Sequence, residues 1–228
     1  MLILAVDTTT PSGSVALLED GILLGEADIE SAATHSARLL RSIDFLLGAH
    51  GRDIAAVDAF AVAAGPGSFT GIRIGVGVVK SLAFASGKPV APVSTLLALA
   101  TKLSADGAGL VCPLLDAKKE EIYAGLFEAR EGGLVEIIPQ GAYGPETFFA
   151  RLPGRPVIAF AGSGVTAYRD MLLRHVGDRA RFPARSAFIA AEVGRIGADI
   201  IRSGKGVEAA SLEPLYFRRS QAEEKCRT

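Results

Sequence analysis

Cysteine and histidine are scarce in this chain, with two of the former and three of the latter among 228 residues. Cys112 sits in an apolar run and Cys226 two residues from the end, so they form neither a disulfide framework nor a metal-binding spacing. Such cysteine usage suits a cytoplasmic protein. His50 and His175 have no partner nearby in sequence and read as ordinary helix-end residues. A surplus of one charge is also missing: 24 basic residues face 25 acidic ones, for a formal charge of -1. Neutralising nucleic-acid phosphates requires a basic excess, so any contact with nucleic acid must be local or borrowed from a partner. Nor does a long apolar run open the chain. MLILAVD reaches Asp7 without a basic flank, and it is expected to be a buried first strand rather than a leader or a membrane span. At 49% hydrophobic residues, the chain has the material for a proper core.

The apolar periodicity occurs twice. LILAVD (2 to 7), SVALLE (14 to 19) and ILLGEADI (22 to 29) read as strands, the last two joined by Asp20-Gly21. Leu39, Leu40, Ile43, Leu46 and Leu47 then form one stripe of a helix running from His35 to His50. VDAFAVAA (57 to 64) is a buried strand, followed by a glycine loop and a helix from about Thr70 to Ser86. The second half repeats this with strands at 110 to 116, 121 to 129 and 134 to 139, a short helix at 145 to 152, and a strand at 156 to 161. A helical stretch ends near His175, and a last helix spans roughly Ser186 to Arg202. This pattern predicts an α/β fold of two duplicated βββαβα lobes, residues 1–98 and 99–228, similar to the actin-like (ASKHA) ATPase architecture. Such an architecture by itself implies a fold and no function.

The stretch AVAAGPGSFTGIRIGVG (61 to 77) holds five glycines. It lacks the lysine and the spacing of a Walker loop. Backbone N–H groups of Gly65, Gly67 and Ser68 at a helix start are weak candidates for an anion cradle. The preferred reading is structural: a tight turn, a Ser68 or Thr70 cap, and a Gly71-x-x-x-Gly75 step that admits a neighbouring helix. Gly162-Ser163-Gly164-Val165-Thr166-Ala167 fits G-x-G-x-x-A, but residues 180 to 186 lack the acidic partner of a dinucleotide site. A vestigial nucleotide site at Gly162 and Gly164 stays open. Asp7 and Asp116 both end first strands, and Asp7 is a weak candidate for holding a cation or water. No G-x-S-x-G elbow occurs, so a serine hydrolase is a poor fit.

Together ILAVDTT, HS-x-x-LL at 35 to 40, AAGPGSFTGIRIG at 63 to 75, PVSTLLALA at 92 to 100, DAKKEEIY at 116 to 123 and PLYFR at 214 to 218 resemble the bacterial TsaB family along the whole chain. That resemblance implies a non-catalytic scaffold for TsaD in the transfer of threonylcarbamoyl to an adenosine of tRNAs reading codons that begin with adenine. It further implies a TsaE ATPase and a threonylcarbamoyl-AMP synthase in the pathway, ATP or ADP at a shared interface, tRNA reached through the complex only, and a homodimer as an alternative pairing. TsaD carries two metal-binding histidines spaced H-x-x-x-H. Here the matching stretch starts at His35 and has Leu39 where the second ligand would stand, so no metal site is expected. The family more often has arginine where Lys118 stands. Partner contacts are expected from two helices, at His35, Leu39, Ile43, Leu47, Thr70, Arg73, Ile74, Gly77, Val78 and Ser81. FRRSQAEEKCRT reads as a solvated tail in which Arg218 and Arg219 could touch RNA. The alternative function, an autonomous sugar or acyl kinase, needs a paired carboxylate base and a phosphate loop with a placed cation, and neither is evident.

Overall fold

A computed structural model describes residues 1–10, 13–28, 35–105 and 107–217, with the backbone alone at 35–37. In chain order the elements are β1 (Leu2–Asp7), β2 (Ser14–Glu19), β3 (Ile22–Asp28), α1 (His35–Ala49), β4 (Ala59–Gly65), α2 (Phe69–Ser86), β5 (Val90–Ser94) and α3 (Thr95–Ser104). They continue with β6 (Leu110–Lys118), β7 (Glu121–Arg130), β8 (Gly133–Tyr143), α4 (Pro145–Phe149), β9 (Ile158–Ala161), α5 (Ser163–Ala167), α6 (Arg169–Val176), β10 (Ala180–Arg181) and α7 (Ala190–Arg202). Two five-stranded sheets result, ordered β3-β2-β1-β4-β5 and β10-β9-β6-β7-β8. In each, three antiparallel strands adjoin a parallel set, which is the duplicated actin-like topology.

The first half extends the expected βββαβα by one further strand and helix, and the second by one further strand before the expected last helix. β5 is five residues long, contains Pro92 and lies at a sheet edge, where a missing N–H is tolerated, so its pattern is weak in sequence. β10 has only two residues. The expected single helix before His175 is broken at Tyr168 into α5 and α6.

The chain divides into two compact units. The first comprises Met1–Ala98 with Phe188–Leu215, and the second Leu99–Ala187 with Tyr216 and Phe217. This corrects the contiguous split expected from the sequence, because α7 belongs with the first sheet. Successive strand residues point to opposite faces. Leu4, Val6, Phe60 and Val62 join a core with Leu39, Ile43, Leu46 and Leu47 of α1 and Ile72, Val76, Val79 and Ala83 of α2. The other face carries small residues. There α7 packs on β1, β2, β4 and β5, and a Cβ on Gly194 or Gly197 would run into Leu18 or Ala61. The start of α7 has no cap of its own; Ser14 Oγ accepts from Ala190 N at 3.1 Å and Glu26 Oε1 from Ala191 N at 3.1 Å. With helices on both faces, β1 and β4 are buried throughout, which is why they read as unbroken apolar runs. In the second unit Cys112, Leu114, Ile122, Phe148, Phe160 and Leu172 centre a separate core.

A chain ending at Ala187 therefore lacks one cover of the first sheet. It is expected to lose the cooperative thermal transition of the first unit, followed by circular dichroism. A truncated chain that melts like the full chain would show that α7 is dispensable.

Candidate functional site

The glycine loop is stitched to the turn after β1. Thr8 Oγ1 donates to the Gly71 carbonyl at 2.7 Å, Ser68 N donates to the Thr9 carbonyl at 2.8 Å, and Ser68 Oγ caps α2 by accepting from Gly71 N at 3.2 Å. A Cβ on Gly71 would collide with the Thr8 carbonyl, and one on Gly75 with Thr8 Oγ1. The Gly71-x-x-x-Gly75 step thus admits a threonine of β1's turn, where a neighbouring helix was expected. Gly65 and Gly67 have φ of +126° and +158° and face the carbonyls of Leu215 and Thr9. Ile72 N is also taken, by Ser68 O at 2.8 Å. Of the donors that an anion cradle would use, Ser68, Gly71 and Ile72 are engaged within the chain.

At the bottom of this junction Asp7 is fully buried. Its Oδ1 accepts from Thr9 N at 2.8 Å and Thr9 Oγ1 at 2.6 Å, and Thr95 Oγ1 donates to Thr9 Oγ1 at 3.1 Å. Asp7 Oδ2 has no hydrogen-bond partner among the described residues. Burial pushes its pKa up to about 6, against the hydrogen bonds from Thr9 that favour the ionised form.

The second glycine loop builds a separate arrangement. Gly162 and Gly164 lie against Leu114, whose carbonyl a Cβ on Gly162 and whose side chain a Cβ on Gly164 would strike, and Ser163 Oγ accepts from Asp116 N at 3.1 Å. The following hairpin places Lys118, Lys119 and Glu120 at φ of +62°, +52° and +58°, a left-handed run without glycine. Lys118 donates to Asp116, through Nζ at 2.6 Å and through its backbone N at 2.9 Å. Burial would raise the Asp116 pKa, but these bonds hold it below its ordinary value. Lys118 is therefore committed to its own hairpin.

The expected contact residues on the two helices separate into two groups. Leu39, Ile43 and Leu47 are buried in the core of the first unit, a correction with a simple cause: α1 has one apolar stripe, and its own sheet takes it. Thr70, Arg73, Gly77 and Ser81 are exposed on α2, while Ile74 and Val78 are half-buried and pack against the core from its edge. The side chain of His35, together with Arg218, Arg219 and Cys226, lies outside the described residues. Arg73 stacks its guanidinium 3.9 Å from the Phe69 ring centroid. Phe84 is 79% exposed, Phe45 69% and Leu40 47%, which adds apolar surface on both helices. By length and composition α2 could cross a membrane, with a mean hydropathy of 1.3, but its Ile72, Val76 and Val79 side is closed into the core.

Among the described residues no group of three His, Cys, Asp or Glu side chains stands close enough to hold a metal ion. His175 Nε2 lies 3.0 Å from Glu146 Oε1, a pairing across 29 positions that no local pattern announces. Cys112 is buried, and burial pushes its thiol pKa far up, so it is an inert core residue.

Residues 29–211 match the family described as TsaD: tRNA N6-adenosine threonylcarbamoyltransferase. The chain is 32% identical over 237 aligned residues to the tRNA threonylcarbamoyladenosine biosynthesis protein TsaB of Bacillus subtilis, covering 99% of this chain and 97% of that one. The TsaB protein of Escherichia coli is 30% identical, with 97% and 96% covered. The chain belongs to the TsaB family. The solved structure of YeaZ from Pseudomonas aeruginosa matches with a TM-score of 0.78 at 32% identity, covering 94% of this chain and 99% of that one. The likeness to the TsaB proteins runs nearly end to end, so it takes in both units of the chain.

Asp7 offers a test of whether this buried junction is optimised for stability. Its folded pKa lies above its unfolded one, so the folded state holds the proton more tightly. The contribution of Asp7 to stability rises as pH falls from 7 through 6 and levels off near 4, by about 2–3 kcal/mol. Asp7→Asn is expected to be more stable than the parent by about 2–3 kcal/mol at pH 7.5 in urea unfolding, with the gain shrinking as pH falls through 6 and vanishing only below about pH 4. An Asn variant less stable at pH 7.5 would show that the fold requires the ionised carboxylate.

Proposed function

We propose that this chain is the accessory subunit of tRNA threonylcarbamoyladenosine biosynthesis, and that it acts as a non-catalytic scaffold by docking a TsaD partner on the outer face of α2. The TsaB relatives and the match to the TsaD family support a place in that pathway beside TsaD. The observation that carries the docking face is Gly77. It stands mid-helix and exposed, and a Cβ there would meet nothing within 4 Å. Glycine in a helix interior costs about 0.5–1 kcal/mol relative to alanine, so packing within the chain gives no reason for it. Close approach of another backbone does. Thr70, Arg73 and Ser81 extend the same exposed side, with Phe84 at its end and Leu40 and Phe45 on α1. Two such helices meeting an equivalent pair make a four-helix contact with approximate two-fold symmetry, which a second copy of this chain would also satisfy.

The same reading brings in TsaE and a threonylcarbamoyl-AMP synthase as pathway partners, ATP or ADP at the shared interface, and a cytoplasmic setting. The kinase alternative gains no support. At the first glycine loop the N–H groups of Ser68, Gly71 and Ile72 bond within the chain, and Asp116 is paired with Lys118.

Because Ile74 and Val78 also pack the core, arginine at those positions would confound folding with binding. Gly77 and Ser81 separate the two. Gly77→Ala is expected to raise the stability of the free chain by about 0.5–1 kcal/mol. Gly77→Arg or Ser81→Arg should keep a native melt yet weaken TsaD binding in calorimetry by about 3–5 kcal/mol, through an unpaired charge at the contact. Folded arginine variants that bind TsaD like the parent would remove α2 from the interface.

A further inference from the structure

Neutral overall charge hides a local concentration. Between positions 151 and 186 there are seven arginines (151, 155, 169, 174, 179, 181 and 185), two aspartates and no glutamate, while the rest of the chain has 17 basic residues to 23 acidic ones. No lysine occurs from residue 120 to 204. The structure gathers this segment. Arg179 donates through Nη1 to the Pro153 carbonyl at 2.6 Å and through Nη2 to the His175 carbonyl at 3.2 Å, fastening the loop of Arg151 and Arg155 to the end of α6 that carries Arg174. At the other end of α6, the Arg169 guanidinium lies 4.2 Å from the Phe182 ring centroid, beside Arg181. α6 has eight residues, about 12 Å of helix, so these charges share one short strip.

Among the described residues Arg151, Arg155, Arg169, Arg174, Arg179 and Arg181 form no ion pair. The nearby acids are outnumbered: Glu146 shares a hydrogen bond with His175, and Asp170 and Asp178 are exposed and form no ion pair among the described residues. A helix dipole accounts for Arg174 in the last turn, but Arg151, Arg155 and Arg181 lie outside the helix. Arg151 and Arg169 rest on aromatic rings, Tyr143 at 5.4 Å and Phe182, which limits their rotamers and leaves the planar donors available.

We propose that this arginine strip of the second unit binds the sugar-phosphate backbone of tRNA, so that the chain supplies part of the RNA-binding surface of its complex. This rests on the reading above that the chain serves a tRNA-modifying pathway, and it goes further by giving this chain its own contact with the RNA. Guanidinium groups bind phosphate oxygens two at a time, and such contacts are read as a salt dependence that grows with each phosphate neutralised.

The test uses the chain assembled with TsaD and an unmodified tRNA transcript, titrated across a salt series. Arg155→Gln with Arg174→Gln, and separately Arg151→Gln with Arg169→Gln, should reduce the salt slope by about 1.5 and weaken binding roughly tenfold near 0.1 M salt. Pairing with TsaD, measured by calorimetry, should be unchanged. Two folded, TsaD-binding double variants with parental tRNA affinity and slope would overturn the proposal. If the parent chain fails to bind TsaD, the pairing reading falls by itself. The same titration on the chain alone then decides, with loss in the variants supporting the strip and equal binding overturning it. Vesicles containing phosphatidylglycerol are the control polyanion. Arginine-dependent binding to them, with none to tRNA, would overturn the assignment to RNA.

Discussion

The first unit depends on how the end of β1 meets the start of α2. Thr8 lodges between Gly71 and Gly75, Ser68 is held by the Thr9 carbonyl, and Asp7 is sealed beneath them. This contact fixes the rotation of α2 about its own axis. Gly71 and Gly75 must face inward, and at 100° per residue Gly77 lies about 200° from Gly75 and therefore points away. The identity of the outward face follows from one threonine between two glycines. A side chain at Gly71 or Gly75 would tilt the helix off the sheet and displace Arg73, Gly77 and Ser81 together.

The same junction explains why a glycine-rich turn between strand and helix need not hold phosphate. An anion cradle leaves backbone N–H groups free at a helix start. Here those of Ser68, Gly71 and Ile72 bond to the chain's own oxygens, and the buried carboxylate of Asp7 below them would oppose an anion whenever ionised. Burial raises the Asp7 pKa because the fold keeps water out, and its two bonds from Thr9 only partly offset that cost.

Sequence patterning made the central elements legible and left the edges obscure. β1 and β4 are unbroken apolar runs because helices cover both faces, and α1 shows its stripe because only one side is buried. β5 and β10 lie at sheet edges, where short length and, in β5, a proline leave no periodic signal. The membership of α7 was hidden for a different reason. Its apolar side fits any sheet, and the fit of Gly194 and Gly197 against Leu18, Ala5, Ala61 and Ala91 on the far side of the first sheet selects it, a match between segments more than 100 residues apart. At the candidate contact face, an apolar stripe at helical spacing marks the inside of α1 more reliably than a partner. Leu39, Ile43 and Leu47 are core, and the exposed side was signalled instead by residues that break the pattern, Gly77 and Phe84 on α2 and Phe45 on α1. The link between His175 and Glu146 had no local signature at all.

The two surfaces that emerge call on different physics and sit in different units. The proposed α2 face, with Thr70, Arg73 and Ser81 around Gly77 and Phe84 at its end, is thinned by glycine and suited to close packing, in which a further unpaired charge would be costly. The strip around α6 is cationic and depends on proximity. Exposed charges are screened beyond about 8–10 Å in physiological salt, so 24 basic residues scattered over the chain would bind a polyanion no better than its net charge of -1 allows. The arginines are instead concentrated along eight helical residues and the loops fastened to them. A chain can therefore be neutral in sum and still concentrate positive charge on one surface. The condition is that the acidic residues lie elsewhere, and from 151 to 186 only Asp170 and Asp178 break it.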